Sequence, residues 1–507
     1  MSKRQFYITT AIPYVNGDPH VGFALECVQA DVLARHRRLR GEDVRFLSGT
    51  DDNSLKNVQA AEAAGVPVAK FVSEKARRFA GLHEPLELSY DDFISTSVDP
   101  RHRPAVERLW RACAAAGDLY EREYQGLYCI GCEAFLGPAE LVGGLCPEHP
   151  EPPELVTERN WFFRLSAHQQ PLLEAIQSGR LRIEPDHARN EALSFIRRGL
   201  EDFSVSRPIG RARGWGIAVP GDPSQVIYVW FDALCNYISA LGYGGDRTLY
   251  ARWWVGAGER VHVIGKGITR FHAIYWPAIL RSAGEPLPTA VLVHDYLTVG
   301  GAKLSKSAAA ESTAPLELAT RFGSDALRWW FLRDVPRFGD ADFRLPLLAA
   351  RANELADELG NFVNRTIVLR SGSAGRVAPS TSGPPAGGAR LHAAILAAPR
   401  SIDDALAHYD FRTATAALWE IVVQGNRFIS SARPWELSPH AREGDASARA
   451  RLQAVLELLA QACTTIAFEL RPFLPGAADR ITDAIELLDP QRGRSLFRKC
   501  GPPCVGE

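Results

Sequence analysis

Gln5-Phe6-Tyr7-Ile8-Thr9-Thr10-Ala11-Ile12, followed by Pro13-Tyr14-Val15-Asn16-Gly17-Asp18-Pro19-His20-Val21-Gly22-Phe23, is the stretch that decides the fold. Its first eight residues are apolar and β-rich, and Pro13 ends them. A helical pattern then runs from about His20 to Leu39 and closes at Gly41. A strand feeding a helix through a short turn is the building unit of parallel α/β sheets. The helix start exposes unpaired N–H groups and a positive dipole end, both suited to phosphate. His20 would donate to a phosphate oxygen there, and Gly22 would let a nucleotide approach the backbone. Alone, the same string also serves as a plain strand-to-helix turn.

Outward from this unit the rhythm repeats. Val44–Leu47 reads as a strand, followed by the polar loop Gly49-Thr50-Asp51-Asp52-Asn53. Further on, Val261–Ile264 and Ala290–Val293 read as strands around a helical stretch, Phe271–Leu280. Ligands of open α/β sheets bind at the carboxyl ends of strands. The polar clusters at 13–23, 49–53, 265–267 and 294–296 all follow predicted strands, which groups them into one site. The two halves, 1–114 and 226–345, are separated by 115–225, whose clustered Cys, Gly and Pro mark an insertion. From 346 to 507 the pattern is helical: Leu347–Leu369, Leu391–His408, Phe411–Ser431 and Ala448–Leu470. The Ser/Gly/Pro-rich stretch Ser371–Gly388 reads as a loop within it.

The bulk properties narrow the function. A chain of 507 residues is too long for one core and predicts roughly two to four domains. A net charge of −1 leaves no global basic field, so a nucleic-acid site must be local or shape-reading. No apolar run reaches the roughly 18 residues of a membrane span. Met1 to Phe6 is polar and basic, so no signal peptide is expected. Nine cysteines, several of them scattered singly, suit a reducing cytoplasm better than a disulfide scaffold.

Four of the metal-ligating side chains are spaced otherwise. Cys129-x2-Cys132 and Cys146-x2-His149 are separated by 13 residues, with Gly131, Gly143, Gly144 and Pro147 supplying turns. Two short knuckles with four such ligands suit one tetrahedral Zn²⁺. A closed ligand set makes the metal structural. The competing reading is a chance pairing of cysteines. Cys500 and Cys504 have no partners nearby in sequence and stay unassigned.

Lys303-Leu304-Ser305-Lys306-Ser307, after Gly300-Gly301, places two lysines and two hydroxyls on one loop. Such a loop can neutralise charge developing on a transferring phosphoryl group, although most Lys/Ser loops only face solvent. Together the two motifs resemble the HIGH and KMSKS signatures of class I aminoacyl-tRNA synthetases. The wider chain is similar to the methionyl-tRNA synthetases over nearly its whole length. The matches include Gly49-Thr50-Asp51, Tyr228-Val229-Trp230-Phe231-Asp232-Ala233-Leu234, Ile264-Gly265-Lys266, Phe271-His272-Ala273-Ile274-Tyr275-Trp276-Pro277 and His294-Asp295-Tyr296-Leu297.

The resemblance implies a Rossmann-like catalytic domain, split by a zinc-knuckle insertion and followed by an all-α anticodon-binding bundle. It implies that ATP, with Mg²⁺, contacts His20, Gly22, Phe23, Lys266, Lys303, Ser305, Lys306 and Ser307, with His20, Lys303 and Lys306 catalytic. Asp51 would take the substrate ammonium. Ile12, Tyr14, Trp230, Ala233, Leu234, Tyr237, His272 and Trp276 would line a methionine pocket, as a thioether favours apolar and aromatic walls. Without the resemblance, Trp230 and Trp276 read as ordinary core aromatics. Asn361 and Arg365 share a helix face, being four apart. With Trp435 they correspond to residues that read the anticodon, where an aromatic stacks under an unpaired base; Trp435 could instead cap the bundle.

Four positions depart from the family pattern. Phe23 replaces its second histidine, Gly267 an acidic residue, Asn53 a histidine and, as a mild change, Leu304 the methionine of KMSKS. The expected activity is methionine–tRNA ligation by a cytoplasmic monomer, with tRNA(Met), methionine and ATP as partners. The alternatives are a degenerate paralogue that binds methionine or RNA without efficient charging, and an enzyme making adenylate for another acceptor.

Overall fold

The computed structural model describes residues 3–129, 134–137, 141–147, 151–303, 313–372 and 383–500. Six strands form one wholly parallel sheet: β1 Gln5–Thr10, β2 Asp43–Thr50, β3 Asp92–Ser95, β4 Arg182–Glu184, β5 Glu259–Gly265 and β6 Ala290–His294, in the order β3-β2-β1-β5-β6-β4. Side chains alternate across a strand. On β1 this sends Phe6 and Ile8 into one core and Tyr7 into another, and all three are buried. A sheet covered on both faces explains why the strand reads as a continuous apolar run.

The three-residue strand β4 comes from the segment read as an insertion, and it pairs with β6 through Ala290 to Leu292. Among the described residues, the rest of that segment holds antiparallel strands, with Leu119–Cys129 and Glu154–Phe163 paired along most of their length, and the helices Gln169–Gln177 and Asp186–Arg197. Segment 115–225 therefore contributes a strand to the main sheet and, through Leu119, Phe163, Leu172 and Ile196, packs into the core on one of its faces.

Helix α1, Val21–Leu39, crosses between β1 and β2. The bundle that follows the sheet packs on this helix. Its helices include Leu345–Glu354, Asn361–Ser371, Ala389–Ala407, Phe411–Ala432, Pro434–Arg442, Ala446–Leu470 and Pro475–Leu487. One core runs from Ile8 and Phe46 on the sheet to Leu459 and Ile466 in the bundle. Fully buried Arg328 bridges the two parts, pairing with Asp31 of α1 at 2.7 Å and donating to the Phe473 and Pro472 carbonyls. A buried ion pair is stabilising only when its remaining polar atoms are also bonded. Here Asp31 also accepts from Ser89 and Arg35. Among the described residues no helix is long and apolar enough to cross a membrane.

Candidate active site

At the carboxyl end of β1, His20 occupies the N-cap of α1 with extended backbone, and its Nδ1 accepts the Gly22 N–H at 3.0 Å. That bond places the hydrogen of a neutral ring on Nε2. The geometry also explains Gly22. A Cβ there would lie 2.9 Å from Cε1 and 3.0 Å from Nδ1 of His20, so the missing side chain makes room for the imidazole. Phe23, expected at the nucleotide, instead turns into the core. It is 8% exposed and meets Phe79 edge-on, ring centroids 5.2 Å apart. Its side chain lies on the buried face of α1, which an apolar ring favours.

Glu26, not singled out in the sequence, fastens this end of α1. It accepts from the Ala11 N–H at 2.7 Å and faces His294 Nε2 at 3.1 Å. Nδ1 of His294 faces the Asp295 carbonyl at 2.9 Å, so the ring satisfies both acceptors only as the imidazolium. Burial alone would depress its pKa, but the Glu26 carboxylate and this carbonyl outweigh burial and raise it.

Lys266, expected at ATP, is held by Asp340 at 2.5 Å and Asp295 at 3.4 Å, above the Tyr296 ring. These carboxylates overcome burial and raise its pKa. At Gly267 a Cβ would fall 2.3 Å from the Tyr296 hydroxyl, so Tyr296 occupies the place an acidic side chain would need. The Lys303 backbone pairs with Thr298 across the turn at Gly300 and Gly301, whose φ values of 59° and 79° suit glycine. Ser305, Lys306 and Ser307 lie outside the described residues.

The other half of the site gathers on the next strand ends. Asp51 is buried, bridged to Tyr14, with its N–H on the Pro13 carbonyl and its own carbonyl accepting from Asn57. Ile12 lies across Gly49, whose added Cβ would meet it at 3.1 Å. Tyr14 packs edge-on to Trp230, centroids 6.2 Å apart, and Trp230 stacks on Phe271 at 3.7 Å. Trp230, Ala233 and Leu234 share the short helix Val229–Leu234. His272 stands in a wide π-type turn, Phe271–Tyr275, which replaces the start of the predicted α-helix; such turns recur at functional sites.

Nδ1 of His272 faces the Ile268 carbonyl at 3.0 Å, so it carries the hydrogen, and Nε2 accepts from the Tyr237 hydroxyl at 2.7 Å. Burial pushes the His272 pKa down to about 4, so the ring is neutral. The Trp276 indole donates to Nε2 of His262 at 3.2 Å, and Nδ1 of His262 meets Thr9 at 2.8 Å. Tyr14, Trp230, His272, Tyr237 and Trp276 thus form one contiguous aromatic cluster, in which Trp276 is a fully buried member of the core and Trp230 packs against that core.

The chain is similar to known proteins over nearly all of its length. The family model of class I tRNA synthetases (M) covers residues 6–152 and 148–367, and that of the anticodon binding domain of methionyl tRNA ligase covers 378–495. The methionine–tRNA ligase of Brucella suis is 38% identical over 496 residues, spanning 96% of this chain and 92% of its own. That of Mycobacterium leprae is 37% identical over 500 residues, spanning 96% and 90%. The chain belongs to the methionyl-tRNA synthetases. A solved Mycobacterium tuberculosis methionyl-tRNA synthetase, in complex with methionyl-adenylate, superposes with a TM-score of 0.88 at 37% identity, covering 95% of this chain and 93% of that one.

In the helical bundle, two of the three residues nominated for the anticodon, Arg365 and Trp435, lie side by side, and Asn361 shares the helix of Arg365. Asn361 and Arg365 lie on the helix Asn361–Ser371, and the Arg365 guanidinium sits 6.0 Å from the Trp435 ring centre. Arg433 takes the left-handed conformation, φ 47°, between two helices, and this corner lifts Trp435 to 44% exposure. In the insertion, Cys129 ends a strand paired to Ala134, and Cys146 follows the Val142–Leu145 bridge turned by Gly143 and Gly144. Cys132 and His149 lie outside the described residues, and among those described no group of three or more metal-binding side chains occurs.

Proposed function

We propose that the chain ligates methionine to tRNA(Met) through an adenylate, with the roles of its side chains as follows. The observation that carries the reading is the meeting, at adjacent strand ends, of the α1 N-terminus capped by His20 and the aromatic wall around Asp51. The methionine carboxylate attacks the α-phosphorus of ATP, which arrives with Mg²⁺, and pyrophosphate leaves. The terminal ribose hydroxyl of tRNA then attacks the acyl carbon and releases AMP. Asp51 holds the ammonium. Ile12, Tyr14, Trp230, Ala233, Leu234, Tyr237, His272 and Trp276 enclose the thioether, where sulfur–aromatic contacts contribute about 0.3–1.5 kcal/mol. His20, the Gly22 backbone, Lys303 and Lys306 stabilise the charge on the leaving phosphates, with Ser305 and Ser307 beside them. Lys266 acts on the nucleotide through its bridge to Asp295 and Asp340.

Asn361, Arg365 and Trp435 read the CAU anticodon. The donor set Cys129, Cys132, Cys146 and His149 fits one structural Zn²⁺: both described cysteines are buried, Cys129 at the end of a strand and Cys146 just after the turn at Gly143 and Gly144. The metal would supply folding energy to the insertion. The boundaries 1–114, 115–225, 226–345 and 346–507 divide these tasks, in a cytoplasmic monomer. Charging of tRNA(Met) by the purified chain tests the whole. Pyrophosphate exchange that fails with methionine, or succeeds equally with leucine, would overturn it.

A further inference from the structure

Asp232 lies between Trp230 and Ala233 on the short helix that forms the thioether wall, yet its side chain points away from any solvent. Its two oxygens are taken separately. Oδ2 accepts from Asn53 Nδ2 at 2.8 Å, and Oδ1 meets His102 Nε2 at 2.5 Å. His102 begins the helix His102–Ala115, and its Nδ1 faces the Ser239 hydroxyl at 2.8 Å. Asp232 and His102 are 1% and 0% exposed. A carboxylate only accepts, so Nε2 of His102 carries the hydrogen. At its other end the chain reaches the ammonium anchor, because the Asn53 N–H donates to Asp51 Oδ1 at 3.3 Å. The start of the 102–115 helix is itself clamped, with Arg101 bonded to Asp92, Asp99 and the Ala240 carbonyl.

We infer that His102 and Asp232 are positioning residues that set the span between the ammonium-binding end and the thioether-binding end of the amino-acid pocket, an inference that rests on the pocket proposed above. The line Asp51–Asn53–Asp232–His102 links three elements that are remote in sequence. It joins the loop after β2 to the wall helix and pins both to a fixed helix start. Buried charge-assisted hydrogen bonds are strong and directional, so the two pocket ends cannot drift independently. Asn53, where the family often has histidine, supplies the side-chain amide that this line needs. Without the His102 N–H, the Asp232 carboxylate would be left short of a donor and free to turn. Asn53 and the wall helix would then lose their common reference.

The test uses the full chain and variants His102→Phe, His102→Gln and Asn53→Ala, read by methionine binding calorimetry and by ATP–pyrophosphate exchange. His102→Phe and Asn53→Ala should raise the methionine KM and Kd roughly ten- to hundredfold, as expected for loss of a hydrogen bond to a buried charge. The ATP KM should stay within about twofold, since the nucleotide end is held by other residues. Discrimination against S-methylcysteine, one methylene shorter, should fall. His102→Gln, which keeps an N–H towards Asp232, should recover part of the loss. A lower melting temperature with unchanged methionine KM and discrimination in both His102→Phe and Asn53→Ala would mean a structural role only and overturn the inference. Equal loss in methionine and ATP KM would overturn it too. Wild-type protein that binds no methionine would instead sink the pocket assignment itself.

Discussion

The Tyr237 hydroxyl donates to Nε2 of His272 across 2.7 Å, and this bond consumes the one lone pair the neutral ring offers. Two buried polar groups thereby satisfy each other, which in the proposed pocket would leave aromatic faces for the ligand. Tyr237→Phe should strand that buried nitrogen, costing about 1–3 kcal/mol of stability. The methionine KM should rise with little change for ATP. Thermal melting and pyrophosphate exchange on the same variant measure both.

A pH dependence follows from the same ring. In the unfolded chain a histidine titrates near 6.5, but burial pushes His272 to about 4 in the fold. As pH falls, the unfolded state therefore binds the proton first. The stability contribution is complete above about pH 6.5 and is lost as pH falls towards 4. Burial depresses His262 in the same direction. Denaturation midpoints should fall through this window, and the fall should be shallower in His272→Asn. An equally steep fall in that variant would refute the assignment.

At the nucleotide end, His20→Ala and Lys306→Ala should each lower pyrophosphate exchange by roughly a hundred- to thousandfold. Gly22→Ala should act through His20, because its Cβ would stand 2.9 Å from the ring. Its exchange rate should fall while methionine binding holds. Phe23→His exchanges a core contact with Phe79 for a polar ring, a loss of about 1–3 kcal/mol, with exchange retained. Wild-type protein lacking exchange that Phe23→His restores would point instead to a degenerate paralogue.

Trp435→Ala should weaken charging of tRNA bearing CAU by roughly ten- to hundredfold, the worth of one stacked base, and leave adenylate formation intact. Its ring is 44% exposed and lies beside Arg365, so little core packing is lost with it. A parallel loss in both half-reactions would make Trp435 a fold-holding residue.

Elemental analysis should give one zinc per chain. Cys129→Ser or a strong chelator should selectively loosen the Leu119–Cys129 and Glu154–Phe163 hairpin, measured by hydrogen exchange, because structural zinc binding is folding energy. Metal-free protein with unaltered exchange protection would contradict the knuckle.

What the sequence determined by itself was local. The apolar run to Thr10, the proline, the polar turn and His20 at the N-cap lie within one short window, and each element forms from its neighbours. Helical periodicity likewise marked Phe411–Ala432 and Ala446–Leu470 to within a residue or two. The tertiary structure alone decided what depends on distant partners. Arg182–Glu184 is too short to carry a period and becomes a strand only because β6 offers it an edge. Phe23 faces the core because α1 packs against Phe79. The line from Asn53 through Asp232 to His102, and the neutral state of His272, need groups brought together from well over a hundred residues apart or buried from water. Backbone propensity is additive along a window, whereas a hydrogen bond or a desolvated charge exists only once the elements carrying its two halves have met.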